Sequence, residues 1–196
     1  MASAKKINTV LAWAAWLLLS AIDVNAATDI AIAPNVRREV RDQGLVASLT
    51  PRTPDQLYAF YLARGFPEDA LQHITSRCFL TIGIHNERSD VVWLELDNWR
   101  FVDRHGRELA RIKRAEWNAR WDRIQLMPAQ RAAFNWTQLP ERRDLQPAEP
   151  VGGNVSLVPP GSTFTLEAKF LTGADKRGPV VRLRIENLTC PGSDPA

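Results

Sequence analysis

The chain has 196 residues, a formal net charge of +3 and 24% charged residues. That charge is too small for a nucleic-acid binder, and the length suits one domain with a sizeable core. Two cysteines without a CxxC spacing argue against a zinc or redox-active thiol site.

The N-terminus reads as a secretory signal. Lys5 and Lys6 form a positive region, Ile7 to Ile22 an uncharged apolar run, and Val24-Asn25-Ala26 a small-x-small end. Cleavage is expected after Ala26, so residues 1–26 are removed. The apolar run is about sixteen residues, short of the ~20 that span a bilayer. An uncleaved signal anchor is the rival reading, and Asp23 and the Ala-type end argue against it. No Cys stands at the cleavage position, which argues against a lipid anchor. The remaining chain of about 170 residues carries a charge near +2. No stable membrane insertion is expected after cleavage, and the expected location is periplasmic or secreted. Cys78 and Cys190 are then a matched pair in an oxidising compartment, where one disulfide is the expected outcome. Closing so long a loop is worth about 4–5 kcal/mol in the chain-entropy model.

Further along, Ile30 to Pro34 and Leu45 to Leu49 read as short extended pieces around a charged connection, RREVRD. Thr53-Pro54-Asp55-Gln56 combines an N-cap, a first-turn Pro and a capping-box Gln, predicting a helix from Pro54 to about Arg64 that stops at Gly65. Pro67-Glu68-Asp69 opens a second helix reaching about Ser76, with acids in its first turn. From Cys78 the period becomes two, and Cys78, Leu80, Ile82 and Ile84 alternate with Phe79, Thr81, Gly83 and His85 as a strand. Strands are expected at 91–96, 99–103 and 108–112, with a turn at Arg104 to Arg107. Residues 113–125 return to helical spacing, with Trp117, Trp121 and Ile124 on one stripe. Ala132 to Leu139 reads as extended, and 140–154 as a long polar loop. Short strands follow at 155–158 and from Phe164 to Phe170. The last runs from Val181 to near Cys190.

This order predicts a mainly β fold, an antiparallel β-sandwich of about seven or eight strands, preceded by two short α-helices and with one inserted helix. The expected organisation is a signal at 1–26, a helical extension at 27–77 packed on the sandwich, and the sandwich itself at 78–196. The run LVPPGSTFTLEAKF (Leu157 to Phe170) and the hairpin FVDRHGREL (Phe101 to Leu109) resemble stretches common in immunoglobulin-like domains of exported bacterial proteins. The resemblance implies an immunoglobulin-like fold and no particular chemistry.

No catalytic motif is present: no GxSxG, HExxH, P-loop or Gly-rich dinucleotide turn. No cofactor is expected. His85 and His105 are candidate metal-carrier residues near strand ends, with Asp90 or Asp103, but no ligand spacing supports them. Asp97 with Asp103, or Glu141 with Asp144, are candidate carboxylate pairs for an enzyme acting on an envelope polymer. The most distinctive segment is the Trp/Arg helix. Trp117, Trp121, Arg114 and Arg120 on it, with Arg143 and Asp144 in the polar loop, are the candidate partner-binding residues, because Trp and Arg are enriched at binding hot spots. The plainer reading is that the indoles anchor the helix to the sandwich. The functional expectation is a non-enzymatic module of the bacterial envelope that binds an envelope protein.

Overall fold

The run Arg38–Asp42, expected as a charged connection, is a strand (β1). It pairs antiparallel with β2 (Leu45–Arg52), and Asp42 faces Leu45 across a two-residue turn. Gln43 and Gly44 in that turn have φ of 48° and 74°. Two successive positive values make a type I′ hairpin turn, whose twist matches the strands it joins, and Gly44 adopts it without Cβ strain. The computed structural model describes residues 36–159 and 163–191. The expected signal at 1–26 and the extended piece from Ile30 to Pro34 lie outside them.

Two helices follow, α1 (Pro54–Leu62) and α2 (Glu68–Thr75). The expected capping box forms: Thr53 Oγ1 accepts from the Gln56 N–H at 3.2 Å, and Gln56 Oε1 accepts from the Thr53 N–H at 3.3 Å. Gly65 ends the segment with φ of 73°. β3 (Cys78–Asn86) then begins the alternating strand read from the sequence. β4 (Val92–Glu95) and β5 (Trp99–Asp103) are separated by a 3-10 turn at Leu96–Asn98, and β6 (Arg111–Ile112) is only two residues long. The Trp/Arg helix is α3 (Arg114–Arg123).

Two expectations fail here. Ala132 to Leu139 is not extended, because α4 (Pro128–Trp136) covers most of it, so two helices are inserted instead of one. Pro128 in the first turn and three alanines favour the helix, and the apparent alternation came from small residues with no face of their own. The long polar loop at 140–154 is mostly strand: β7 (Arg142–Leu145) and β8 (Pro150–Leu157). β9 (Phe164–Thr172) and β10 (Val181–Leu188) complete the order and pair as expected, with Val181 opposite Phe170.

Among the described residues, ten strands form two antiparallel sheets. The first has the order β1-β2-β3-β8-β6, so β2 belongs to the sheet and the two helices follow a hairpin of it. The second has the order β10-β9-β4-β7, and β5 continues along the β9 edge that β4 begins. The sheets face each other over an apolar core that includes Leu80, Ile82 and Ile84 from the first and Leu94, Phe170 and Leu183 from the second. Cys78 and Cys190 form the expected disulfide, with Cα atoms 5.4 Å apart, joining the start of β3 to the chain just after β10.

A second core lies on the other face of the first sheet. There Phe79 of β3 meets Leu57, Tyr61, Ile74, Trp117, Trp121 and Phe134 from the four helices. The aromatic rings pack at centroid distances of 4.8 to 5.7 Å, with Trp117 stacked on Trp121 at 5.2 Å. Trp117 Nε1–H donates to Ser156 Oγ at 2.8 Å, which ties α3 to β8. The molecule is therefore mainly β, with a helical layer against one sheet.

Candidate functional site

Trp117 and Trp121 are 1% and 0% exposed, so the pair expected to offer a binding surface is core. Their spacing of four puts both on the stripe that faces the sheet, as the plainer reading required. Arg120 is half-buried on the same helix, beside His73. His73 lies edge-on to both indoles, at 5.3 and 6.3 Å between centroids. Burial, then the charges of Arg120, Arg77 and Arg123, push its pKa down from 6.5 to about 4.

Among the described residues the most exposed indole is that of Trp136, which is not one of the expected partner-binding residues and lies in the segment expected to be extended. Trp136 is 88% exposed. It follows the fully buried Phe134 by two residues, and two helical steps turn a side chain roughly 200° around the axis. Trp136 lines a groove of about 450 Å³ with Arg114, Asn135, Gln138, Arg143 and Val151. Two of the residues expected to bind a partner, Arg114 and Arg143, are thus brought together, but around a different tryptophan.

The elements explain this geometry. Arg114 opens α3, and its backbone N–H donates to Glu141 Oε1 at 3.0 Å, which pins the helix start to the chain entering β7. Its guanidinium has no acidic partner among the described residues. Arg143 shares a face with Leu145 on β7, so it reaches the rim of the inner face, where it pairs with Glu149. Asp144 falls on the opposite face of the strand, opposite Trp93, and accepts from Gln146 Nε2 at 3.1 Å. The groove does not include it.

Next to the groove, β8 requires glycine at position 153. A Cβ at Gly153 would lie 2.4 Å from the Leu139 backbone nitrogen. This close approach lets residues 137–139 run against β8, where Leu139 N–H donates to Asn154 O at 3.0 Å and Asn154 N–H donates to Thr137 O at 2.8 Å.

The candidate carboxylates are each held by cations. Asp97 accepts from Lys113 at 3.0 Å and Arg111 at 3.3 Å, with Arg142 at 3.5 Å. The Lys113 hydrogen bond holds its pKa below the usual carboxylate range against a smaller cost of burial. Arg111, only 10% exposed, also pairs with Glu141 at 2.7 Å. Asp103 is buried in the turn it closes, accepting from the His105 and Arg107 backbone N–H groups and the Arg107 guanidinium. Burial opposes its ionisation, and those bonds overcome it and lower the pKa. Asp97 and Asp103 therefore serve separate local networks.

His85 contacts Ala148 O at 3.2 Å and lies 3.6 Å from Glu87, while His105 accepts from Arg104 Nε at 3.1 Å. Among the described residues, no three His, Cys, Asp or Glu side chains gather as a metal would require. No helix among them is long and apolar enough to cross a membrane.

No family model matches the chain, and no curated protein matches it. A crystal structure of the yjhA protein from Bacillus subtilis aligns with a TM-score of 0.39 and 9% identity, over 67% of this chain and 76% of that one. A likeness at that level leaves the reading of this chain to its own residues.

Proposed function

We propose that the chain is an exported, non-enzymatic binding module of the bacterial envelope, whose Trp136 groove receives an acidic segment of an envelope protein. The observation that carries this reading is Trp136, an 88% exposed indole beside the Arg114 cation. Solvating so large an apolar ring is unfavourable, and interface anchors are enriched in Trp and Arg. The groove contributes cations and amides and no carboxylate, so an acidic partner is complementary to it.

The export reading is supported by the N-terminal pattern and by the disulfide, which is compatible with an oxidising compartment. The finer architecture is proposed as immunoglobulin-like. Two facing antiparallel sheets linked by a disulfide support that reading. The enzyme and metal-carrier alternatives draw no support from Asp97, Asp103, His85 or His105, whose contacts are accounted for locally.

The test is a photo-crosslinking residue at position 136, introduced in the native host, with a control at the exposed Met127. A discrete adduct at 136, absent at 127 and lost with Arg114→Glu, supports the reading. Equal labelling at both positions, or an adduct indifferent to Arg114→Glu, removes it. N-terminal sequencing of the purified protein should begin at Ala27.

A further inference from the structure

We infer that the hollow between α1 and the outer face of the first sheet is a binding site for a small organic carboxylate, separate from the Trp136 groove. The hollow measures about 430 Å³, within the range of ligand pockets. Its wall is apolar, made by Leu57, Phe60 and Tyr61 of α1, and its floor is polar, made by Arg52, Thr81 and Asn154.

The floor is wired in one direction. Thr137 Oγ1 donates to Phe134 O at 2.7 Å, so in its 2.8 Å contact with Tyr61 it accepts the tyrosine proton. Burial raises the Tyr61 pKa, so the phenol stays protonated and keeps that role. Asn154 Oδ1 accepts from Thr81 Oγ1 at 2.7 Å, and Thr81 Oγ1 accepts from Arg52 Nε at 2.7 Å. The chain of bonds ends on Arg52 and fixes the plane of its guanidinium.

Only Nε of Arg52 is engaged. Among the described residues its two terminal nitrogens have no hydrogen-bond partner and no acid pairs with it. A half-buried, oriented guanidinium beside an apolar wall lacks only an anion. Two parallel N–H groups match a carboxylate in a bidentate pair, which a lysine in the same place would not reproduce. Phe60, at the rim with the Arg64 guanidinium 3.5 Å from its ring centroid, offers a flat face to the body of such a ligand. The volume suits one ring or a short aliphatic chain. The carboxylate belongs either to a free acid or to the C-terminus of a peptide.

The test is a 1H–15N NMR titration of the purified protein with benzoate and, separately, benzamide. A second pair of arms uses N-acetyl-Gly-Phe with a free or an amidated C-terminus. Saturable shifts at Arg52 Nε–H and at the Thr81 and Asn154 amides are expected for the carboxylates, at least about tenfold weaker for the amides. Whichever carboxylate binds more tightly identifies the source. Arg52→Gln should abolish the shifts, Arg52→Lys should restore them in part, and Phe60→Ala should weaken binding about threefold. Shifts that are absent, or equal for acid and amide, or unchanged in Arg52→Gln overturn the proposal. If Arg52→Gln does not fold, Phe60→Ala and Arg52→Lys still decide it, since indifference to both has the same consequence. Trp136→Ala should leave benzoate binding unchanged.

Discussion

The two faces of the first sheet are built from neighbouring residues of the same strands and do different things. On the inner face, Leu80, Ile82 and Ile84 meet the second sheet in an apolar core of aliphatic and aromatic side chains. On the outer face the cross-strand rows change character along the strand. Phe79 and Ser156 form one row, Thr81 and Asn154 the next, Gly83 and Gly152 the one after. The helices seal the first row with tryptophan, leave a hollow over the second, and thin out toward the third. Stability is concentrated where both layers are apolar; the Arg52 hollow lies where the outer face is polar and incompletely covered, and the Trp136 groove lies beside β8 at Val151 and Gly152.

Substitutions on the two faces should separate these roles. The largest effect is expected from Trp121→Ala, which empties the aromatic core and should lower the unfolding free energy by about 3–5 kcal/mol in urea denaturation followed by circular dichroism. Ile82→Ala on the inner face should cost about 2–5 kcal/mol, whereas Thr81→Val beside it should stay near 1 kcal/mol while releasing the Arg52 guanidinium. Equal losses for the two would erase the distinction between the faces. Gly153→Ala forces β8 away from Leu139 and should cost about 1–3 kcal/mol, as overpacking does.

A pH titration probes the seam between the sealed and open parts. The folded pKa of His73 is about 4 against 6.5 unfolded, so the unfolded chain binds more protons between those values. Stability should therefore fall as pH drops from 6.5 to 4, with no further contribution from this residue below that. His73→Gln should flatten this part of the wild-type profile and leave the losses at lower pH, which come from carboxylates such as Asp97. The smallest effect on stability is expected from Trp136→Ala, within about 0.5 kcal/mol. That variant should nonetheless remove most of the iodide-quenchable tryptophan fluorescence. Quenching that persists in a Trp136→Ala, Trp93→Phe double variant would show that the buried pair is accessible after all.

Periodicity served well where it was strong. The alternation in β3, β9 and β10, the Thr53 and Gln56 capping box and the stripe of α3 all appear as read, because each is a local pattern with its own physical requirement. It failed at β1, β7 and the first part of β8, which carry polar or glycine residues; the strand expected from Val155 is the end of β8. Backbone pairing there needs only a neighbouring strand edge, and no apolar alternation marks it. The candidate site is half legible in the sequence: Arg114 stands out in the Trp/Arg helix and Arg143 in the long polar stretch, while only the helix signals Pro128 and Gln130 place Trp136 at the end of α4.

Residue order alone was enough to establish the mainly β class, the first three helices, the strand pairing around residues 173–180 and the pairing of two cysteines. Which tryptophans are core and which is surface depended on how α3 and α4 pack, since an amphipathic stripe states a face but not what covers it. The Arg52 hollow depended on the same packing. Its residues come from β2, α1, β3, β8 and the end of α4, and only the folded sheet brings segments about a hundred residues apart within one hydrogen-bond chain.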